Sequence, residues 1–338
     1  MPNTGFDPTE PFPAKDRLTS VEVCAGAGGL ALGLEQAGFD PVLLVDVRDA
    51  ACNTLRLNRP GWDVREMDIR DFDPADDKRV YDVDLLSAGL PRVKASAAGN
   101  RTRGNETELE LLYAAVMLVP GIQPRAFLIE NMPELATGDG YAVARENIEK
   151  ELDHLGYVSN WLVVNASDYG VSQERKHGVL VAFKGGMPHG FELPRAQPFP
   201  PSVGEVLRES MASRGWPEAD RWSAQADRLS PTLVGGSWDR GGADLGPSGS
   251  KRRWATMGVN GGTVADLPPG PDFDWRPELG PRGGVPLTVA QTAILQGFPA
   301  DWRFSGRKTS QYRQVGNATP PPVGRALGTA IRWALEGR

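Results

Sequence analysis

Short apolar runs alternate with helix-length segments through the first half of the chain. Runs rich in β-branched residues and bounded by turn residues are typical of buried strands. They predict six strands: Thr19–Cys24, Pro41–Val45, Val83–Ser87, Ala126–Glu130, Ser159–Val164 and Gly178–Phe183. Strands that are separated by helices form parallel sheets. The pattern therefore predicts a doubly wound α/β domain with a parallel sheet over residues 19–186.

The pattern changes between residues 187 and 286. Gly, Pro and Trp dominate this stretch, and few long periodic runs occur in it. Such a composition predicts a second, smaller unit that is irregular and rich in loops. Helical periodicity returns in Leu287–Leu295 and Pro321–Leu335, so we expect residues 287–338 to pack back on the first domain. Residues 1–18 are Pro-rich and polar, which predicts a flexible N-terminal segment.

The composition is that of a globular protein. The chain has 338 residues, of which 40% are hydrophobic and 24% charged, and this length supports a large core with a smaller second domain. No apolar run reaches 18 residues, and the start lacks a basic segment followed by a hydrophobic one. These features predict a cytoplasmic protein without a membrane partner. The only cysteines, Cys24 and Cys52, lack Cys or His neighbours at metal-ligand spacing, which argues against a disulfide framework and against a metal site.

A net charge of −6 argues mildly against nucleic acid binding, because clustered Lys and Arg drive contacts with phosphates. The distribution of the basic residues changes this picture. They gather at residues 251–253 and again at Arg303, Arg307, Lys308, Arg313, Arg325 and Arg332. Each group is either a phosphate-binding surface or an ordinary solvated face.

A glycine-rich turn joins the first strand to the first helix. Val21–Leu30 runs through Gly26, Gly28 and Gly29 into a helix predicted at Ala31–Ala37. Glycines allow a tight turn and close approach of a ligand to the backbone. Such turns serve many nucleotide-binding proteins and some purely structural connections.

Two aspartates follow the next strands. Asp46 closes the second strand, where a carboxylate can accept hydrogen bonds from ribose hydroxyls. Asp68 is expected where an adenine amino group would lie. Either aspartate could instead be a helix N-cap.

Several further segments have a distinctive order and spacing. They are Asp84–Ser96, Phe127–Met132 (FLIENM), Ser172–His177 (SQERKH), Leu287–Trp302 and Gln311–Val323, the last containing Gly316-Asn317-Ala318-Thr319-Pro320. Together with the glycine loop, these segments resemble the DNA cytosine-5 methyltransferases over about residues 19–186 and 287–332. The resemblance implies a Rossmann-like, S-adenosylmethionine-dependent methyltransferase domain and a smaller target-recognition domain over residues 187–286.

The resemblance also implies S-adenosylmethionine as the cofactor. Its binding residues would be Cys24, Ala25, Gly26, Gly28, Gly29, Leu30, Asp46, Val47, Asp68, Ile69, Asn317 and Ala318. Two positions depart from the family pattern. Cys24 stands where Phe is common, and Val47 stands where a large ring often covers adenine, so we expect a reduced affinity for the cofactor.

In this family a loop cysteine adds to carbon 6 of a flipped cytosine, which activates carbon 5 for methylation. By resemblance, Glu130 would contact ring nitrogen 3 and the amine of the base, and Asn131 would brace the loop. Without this context, Glu130 is an ordinary strand-closing residue at a helix start. Gln173 and Arg175 match the family's Gln-x-Arg-x-Arg motif, and His177 replaces its last Arg. We expect this replacement to weaken a catalytic contact, although such a His would lie at the surface in most proteins.

The nucleophile itself differs. The chain has Pro91-Arg92-Val93 where the family has Pro-Cys, and a guanidinium cannot replace a thiolate. Together with Lys94, Arg92 could bind a phosphate or a base edge in the emptied pocket. Alternatively, it is a solvent-facing residue that remains after catalysis was lost.

Neither Cys24, in the cofactor loop, nor Cys52, in the helix after the second strand, is expected to reach the base. The sequence therefore predicts a homologue that binds S-adenosylmethionine and double-stranded DNA but is catalytically silent or reassigned. It would be a pseudoenzyme that serves as a subunit or regulator of a restriction-modification or defence system, with a protein partner. The rival prediction is an active methyltransferase that modifies DNA or RNA by altered chemistry.

A Thr-Leu pair followed by small residues is typical of DNA contacts in this family. The predicted DNA-binding residues are Lys94, Thr232, Leu233, Gly235, Gly236, Arg240, Lys251, Arg252 and Arg253. Gly-rich loops let the backbone approach phosphates and bases, and the basic residues would supply phosphate contacts. The tryptophans of the second unit are interpreted as core residues in preference to stacking platforms: Trp216, Trp222, Trp238 and Trp254.

Overall fold

The computed structural model describes residues 17–92, 104–188, 191–235 and 242–338. Within them one seven-stranded sheet has the order β3-β2-β1-β4-β5-β7-β6. The strands are β1 (Leu18–Val23), β2 (Phe39–Asp46), β3 (Val64–Glu66), β4 (Leu85–Gly89), β5 (Ala126–Asn131), β6 (Tyr157–Asn165) and β7 (Lys176–Lys184). The first strand begins at Leu18, one residue before the predicted start of the α/β domain at residue 19. The rest of the predicted N-terminal segment, apart from Arg17, lies outside the described residues.

Helices cover both the first and the last parts of the chain. They are α1 (Gly29–Gln36), α2 (Asp49–Asn58), α3 (Gly104–Met117), α4 (Val119–Ile122), α5 (Pro133–Thr137), α6 (Ala142–His154), α7 (Val203–Ala212), α8 (Ala219–Gln225), α9 (Ser248–Thr256), α10 (Val289–Leu295), α11 (Lys308–Asn317) and α12 (Pro321–Glu336). Short 3₁₀ turns occur at Ile69–Asp71, Pro74–Asp76, Lys78–Val80, Asp139–Tyr141, Ala166–Tyr169 and Pro277–Arg282. In the described segments no helix is long and apolar enough to cross a bilayer.

The strand order reverses between β1 and β4. From β1 the chain steps outward to β2 and β3, and it then returns to β4 and continues to β5 on the other side. These five strands are parallel, so their carboxyl ends share one edge of the sheet. In open α/β sheets, ligands bind beyond the carboxyl ends of the strands at such a reversal.

The predicted α/β fold class is confirmed, with two local differences. All six predicted strands are present, but β3 was missed because three residues are too short to show a period. The expectation of a parallel sheet was wrong for its last two strands, since β7 is antiparallel to both β5 and β6. Only residues 166–175 join β6 to β7, and a parallel connection needs a longer crossover.

The second unit has its own core and more helix than its composition suggested. Trp216, Trp222 and Trp254 are buried in it beside residues from α7, which confirms their interpretation as core residues, whereas Trp238 lies outside the described residues. Leu295 of α10 joins the same cluster, while α12 packs tightly on α1. Thus α12 returns to the first domain and α10 bridges the two cores. The domain boundaries themselves stay a prediction.

Candidate functional site at the strand reversal

A cleft of about 930 Å³ opens beyond the carboxyl ends of β1, β2, β4 and β5. This volume lies near the upper end of the roughly 300–1,000 Å³ of ligand pockets. Of the predicted cofactor residues, all except Gly28 line it. The predicted residues Glu130 and Arg92 line it too, so the fold brings residues from distant parts of the chain to one cavity. In the described segments, no three metal-ligand side chains cluster there or elsewhere.

Two glycines of the loop after β1 have different tasks. Gly26 has a φ of +55°, and a Cβ placed there would meet nothing within 4 Å, so its backbone is open to a ligand. A Cβ on Gly29 would overlap the carbonyl oxygen of Thr319 and press on Ala318. Gly26 therefore leaves room on the cleft wall, whereas Gly29 allows α1 to pack against the turn before α12.

Asp46, at the end of β2, holds the glycine loop in place. Its carboxylate accepts hydrogen bonds from the backbone N–H of Gly26, at 2.7 Å, and of Arg48, at 2.8 Å. Burial raises the pKa of Asp46, and these two hydrogen bonds oppose that rise. Asp46 is not an N-cap, since Arg48 occupies that position of α2. The side chain instead links three elements at the cleft wall.

Asp68 is an N-cap and also lines the cleft, while its place beside adenine stays a prediction. It caps the 3₁₀ turn Ile69–Asp71 by accepting from the backbone N–H of Arg70, and it lines the cleft. The Arg70 guanidinium donates to the same carboxylate at 2.6 Å and lowers the pKa of Asp68. A charged carboxylate therefore faces this end of the cleft. Apolar side chains complete the wall here, namely Val47, Met67, Ile69 and Leu111. Because the resemblance predicts that adenosine lies here, we call this region the adenosine end.

The opposite region of the cleft contains Glu130, at the end of β5; we call it the base end. One carboxylate oxygen of Glu130 lies 2.6 Å from Nδ1 of His177, and the other accepts from the Thr319 hydroxyl at 2.6 Å. Burial lowers the pKa of His177, and the Arg175 and Arg92 charges add to this effect, although the contact with Glu130 opposes it; the Nδ1–H of His177 donates to Glu130. Burial opposes ionisation of Glu130, but the interactions with His177, the Thr319 hydrogen bond and the Arg175 charge outweigh it and lower the pKa of Glu130. Glu130 is therefore an anion with both oxygens already engaged.

His177 is thus not a surface residue. It is 1% exposed, and its Nε2 has no hydrogen-bond partner in the described residues. Nothing in the sequence indicated this burial, because a single His in a polar motif has no periodicity. Only the antiparallel pairing of β5 with β7, which sets Asn131 opposite Gly178, brings His177 beside Glu130.

Asn131 fixes the backbone that leads to Arg92. Its side-chain amide donates to the carbonyl oxygens of Pro91, at 3.0 Å, and Leu90, at 3.4 Å. Gly89 pairs with Glu130 across the β4–β5 ladder, and Arg92 lies three residues after Gly89. The Arg92 side chain is exposed, and no ion pair joins it to a carboxylate in the described part of the chain.

Gln173 and Arg175 lie behind the cleft instead of lining it. The Gln173 amide accepts from Leu233 N–H at 2.7 Å and donates to Gln296 at 2.8 Å. Arg175 donates to the carbonyls of Leu233, at 2.8 Å, and Gly316, at 2.9 Å. These two residues therefore connect the predicted recognition segment to the turn that carries Asn317, and their geometry is that of positioning residues.

Arg175 is 2% exposed, and its charge is not matched by a carboxylate within ion-pair distance among the described residues. Burial, and then the Arg92 charge, lower its pKa to about 9. Arg92 is therefore close enough to act electrostatically on the buried network behind Glu130.

Two cleft residues were missed by the sequence interpretation. Glu22 is a charged residue in the middle of β1, 1% exposed, and its Oε1 has no partner in the described residues. Burial raises its pKa to about 8. An acidic residue between Val21 and Val23 in an apolar strand was the available signal. Thr319 was quoted within its motif but given no role, because only folding brings its hydroxyl to Glu130.

The predicted DNA-binding residues are only partly placed. Lys94, Gly236 and Arg240 lie outside the described residues. Leu233 is fully buried, Gly235 lies against Asn317, with a hypothetical Cβ 2.6 Å from its Oδ1, and Thr232 donates to the Glu174 carbonyl. This segment forms part of the cleft's frame, so its backbone and Thr232 are the parts available to DNA. Its DNA-binding role stays a prediction.

The basic residues of α9 are more accessible. Lys251 pairs with Asp244 at 2.9 Å, and Arg253 approaches Glu174 at 3.3 Å, whereas Arg252 is exposed. By contrast, Arg332 of the C-terminal basic group is buried and pairs with Glu336 at 2.8 Å. Arg332 therefore belongs to the packing of α12 and not to a phosphate-binding surface.

Comparison with known proteins settles the family. The profile of the C-5 cytosine-specific DNA methylases matches residues 18–231 and 256–333. This chain belongs to the C-5 cytosine-specific DNA methylase family. The match includes residues 187–231 and 256–286 of the second unit.

Relatives within the C-5 cytosine-specific DNA methylase family are similar over nearly the whole chain. The Type II methyltransferase M.NaeI of Lentzea aerocolonigenes is 42% identical over 326 residues, covering 95% of this chain and 77% of that protein. The Type II methyltransferase M.NgoMIV of Neisseria gonorrhoeae is 39% identical over 329 residues, covering 95% and 99%. Among solved structures, the S. pombe Dnmt2 methyltransferase has a TM-score of 0.63 at 17% identity, covering 95% of this chain and 99% of that one. This last likeness confirms the methyltransferase fold alone.

Proposed function

We propose that this chain binds S-adenosylmethionine and double-stranded DNA without forming the covalent cytosine adduct of its family. The observation that carries this proposal is the position of Arg92. It follows Pro91 at the end of β4, its backbone is anchored by Asn131, and it lies on the cleft that contains Glu130. By its motif, this is where the family has its nucleophilic cysteine. A guanidinium has no lone pair available to attack carbon 6 of a base.

The two thiols of the chain do not supply a replacement. Cys24 lines the cleft, but burial, followed by the charges of Asp46 and Asp68, raises the pKa of its thiol to about 12. Cys52 is buried in α2, where burial raises the pKa of its thiol to about 11. Because the thiolate is the nucleophile, neither group is reactive near neutral pH.

The cleft fits S-adenosylmethionine. Asp46, Asp68, Val47 and Ile69 would hold the adenosine part, and the open backbone at Gly26 leaves room beside it. The orphan buried oxygen of Glu22 offers a hydrogen-bond acceptor on the same wall. When bound, the cofactor supplies a methyl group on a positively charged sulfonium. Its methionine part would lie toward Asn317 and Thr319, at the base end.

The base end would orient a nucleobase without activating it. Each oxygen of Glu130 can still accept one more hydrogen bond from a base, because a carboxylate oxygen has two lone pairs. His177 and Thr319 hold the carboxylate in one orientation. This arrangement supports base binding, whereas methylation of carbon 5 also needs the missing covalent step.

DNA is the proposed polymer, and residues 187–286 are the proposed recognition domain. Thr232, Arg252 and the neighbouring basic residues of α9 would contact the backbone. The Type II methyltransferases among the relatives support a place in a restriction-modification or defence system, where this chain would act beside a protein partner.

The test is methyl transfer by the unaltered protein. Labelled S-adenosylmethionine is incubated with mixed-sequence DNA or with RNA, the nucleosides are analysed by mass, and cofactor and DNA binding are measured in parallel by calorimetry and fluorescence anisotropy. We expect binding of both ligands and no methylated nucleoside. A labelled nucleoside would overturn the proposal and would identify the polymer and the atom that is attacked. Absence of cofactor binding would overturn it as well.

A further inference from the structure

We propose that Arg92 makes the cleft selective for the neutral sulfide S-adenosylhomocysteine over the cationic sulfonium S-adenosylmethionine. This inference rests on the proposed cofactor site and adds the charge preference of that site. The chain would then hold the demethylated form of the cofactor when both forms are present.

The position of Arg92 on the cleft carries this inference. The adenosine end is defined by Asp46 and Asp68, so the sulfur of a bound ligand lies toward the other end. That end is formed by Glu130, Thr319, Asn317 and Arg92. The Asn131 amide donates to the carbonyls of Leu90 and Pro91 and so anchors the backbone that leads to Arg92.

The carboxylates around the cleft do not neutralise Arg92. Asp46 and Asp68 lie at the far end beside Arg48 and Arg70. Glu130 is engaged by His177 and Thr319, and the buried Arg175 cation lies behind it. Glu22 is fully buried, and its pKa of about 8 keeps it protonated at pH 7. Glu108, on α3, also lines the cleft.

The field of Arg92 reaches the interior of this region. It contributes to lowering the pKa of both Arg175 and His177, and both side chains are buried. Like charges that are separated by protein and not by water repel appreciably. A sulfonium at the base end would experience this repulsion, whereas a sulfide at the same place would not.

The experiment measures dissociation constants by calorimetry for three ligands at pH 7 and low salt. They are S-adenosylmethionine, S-adenosylhomocysteine and an analogue that carries a protonated amine in place of the S-methyl group. For the unaltered protein we expect the sulfide to bind about tenfold more tightly than either cation. Arg92→Gln should reduce this ratio by about fivefold, chiefly by improving the binding of both cations. Higher salt should reduce it as well.

Arg48→Gln is the matched control, because Arg48 lines the same cleft at the adenosine end. It should change the affinity for all three ligands alike and leave the ratio unaltered.

A ratio that Arg92→Gln does not change, or that Arg48→Gln changes equally, would overturn the charge selectivity while the proposed function stands. If only the methylated ligand is disfavoured and the amine analogue is not, the cause is steric and the inference also fails. If no ligand binds, the proposed cofactor site fails too. Thermal melts of both variants confirm that each is folded.

Discussion

The two ends of the cleft depart from the family to different degrees. At the adenosine end, Asp46 ties the glycine loop to α2 and Asp68 faces the cavity, and the only departures from the family pattern are Cys24 and Val47. At the base end, the resemblance predicts a nucleophilic cysteine where this chain has Arg92 and an arginine where it has His177. If these assignments hold, one subsite of a shared scaffold is preserved while the adjacent one has changed. The two subsites depend on different residues, although both lie at the strand reversal.

Introducing a cysteine at the base end should have the largest effect on the difference between the two ends. We expect Arg92→Cys alone to methylate cytosine at least about 100-fold more slowly than Arg92→Cys combined with His177→Arg. The reason is that the single variant still lacks the arginine that the family's motif has at position 177, where this chain has His177. The measurement is labelled methyl transfer to duplex DNA, with melting curves to confirm that both variants fold. Strong methylation by the single variant would show that only the thiol was lost and that the base end is otherwise unchanged.

Removing the buried cation behind the base end should destabilise the fold. Arg175→Met leaves the carbonyls of Leu233 and Gly316 without their donor and removes the positive charge near Glu130. We expect a loss of about 3 kcal/mol in the free energy of unfolding, measured by denaturant titration.

Arg175→Lys keeps the charge and should lose less stability. If the Met variant is as stable as the parent, the two carbonyls do not depend on Arg175, and its positioning role would be wrong.

Weakening the adenosine end should affect ligand binding more than stability. Asp46→Ala removes the acceptor for the N–H groups of Gly26 and Arg48, and we expect the affinity for S-adenosylhomocysteine to fall about 30-fold, or about 2 kcal/mol. Asp46→Asn keeps one acceptor oxygen, so we expect a smaller loss of affinity in this variant. Calorimetry measures both. Unchanged affinity in the Ala variant would contradict the assignment of this end to adenosine.

The smallest expected effect concerns the pH dependence of stability. The pKa of Glu22 is raised by burial to about 8 in the folded state, against 4.5 for the free side chain. Between these values the folded chain keeps a proton that the unfolded chain has released, so stability falls as pH rises from about 5 to 8. Glu22→Gln should remove this loss, so that its stability relative to the parent rises as pH increases from 5 to 8.

The control for this effect is Glu149→Gln, an exposed position on α6, which should leave the pH profile of the melting temperature unchanged. Parallel profiles for the parent and Glu22→Gln would show that Glu22 is ionised in the folded chain across this range.

Much of the cleft could be predicted from the sequence, because its signals are local. The glycine turn, the aspartates that close or follow strands, and the Gly316-Asn317 turn each depend on a few adjacent residues. The order of strands and helices then places them at one edge of a sheet. The predicted match of Arg92 to the nucleophile's position rests on the same kind of local signal, since Pro91 directly precedes it and Gly89 ends β4.

Other features required contacts between residues far apart in sequence. The sequence by itself determined the family, the α/β class, and the residue types available at the cleft. Only the tertiary structure decided that His177 is buried beside Glu130, that Thr319 holds the other oxygen, and that Gln173 and Arg175 tie Leu233 to the turn at Gly316. The physical reason is that hydrogen bonds and desolvation depend on which distant groups meet in the folded chain, whereas periodicity and turn chemistry record only local geometry.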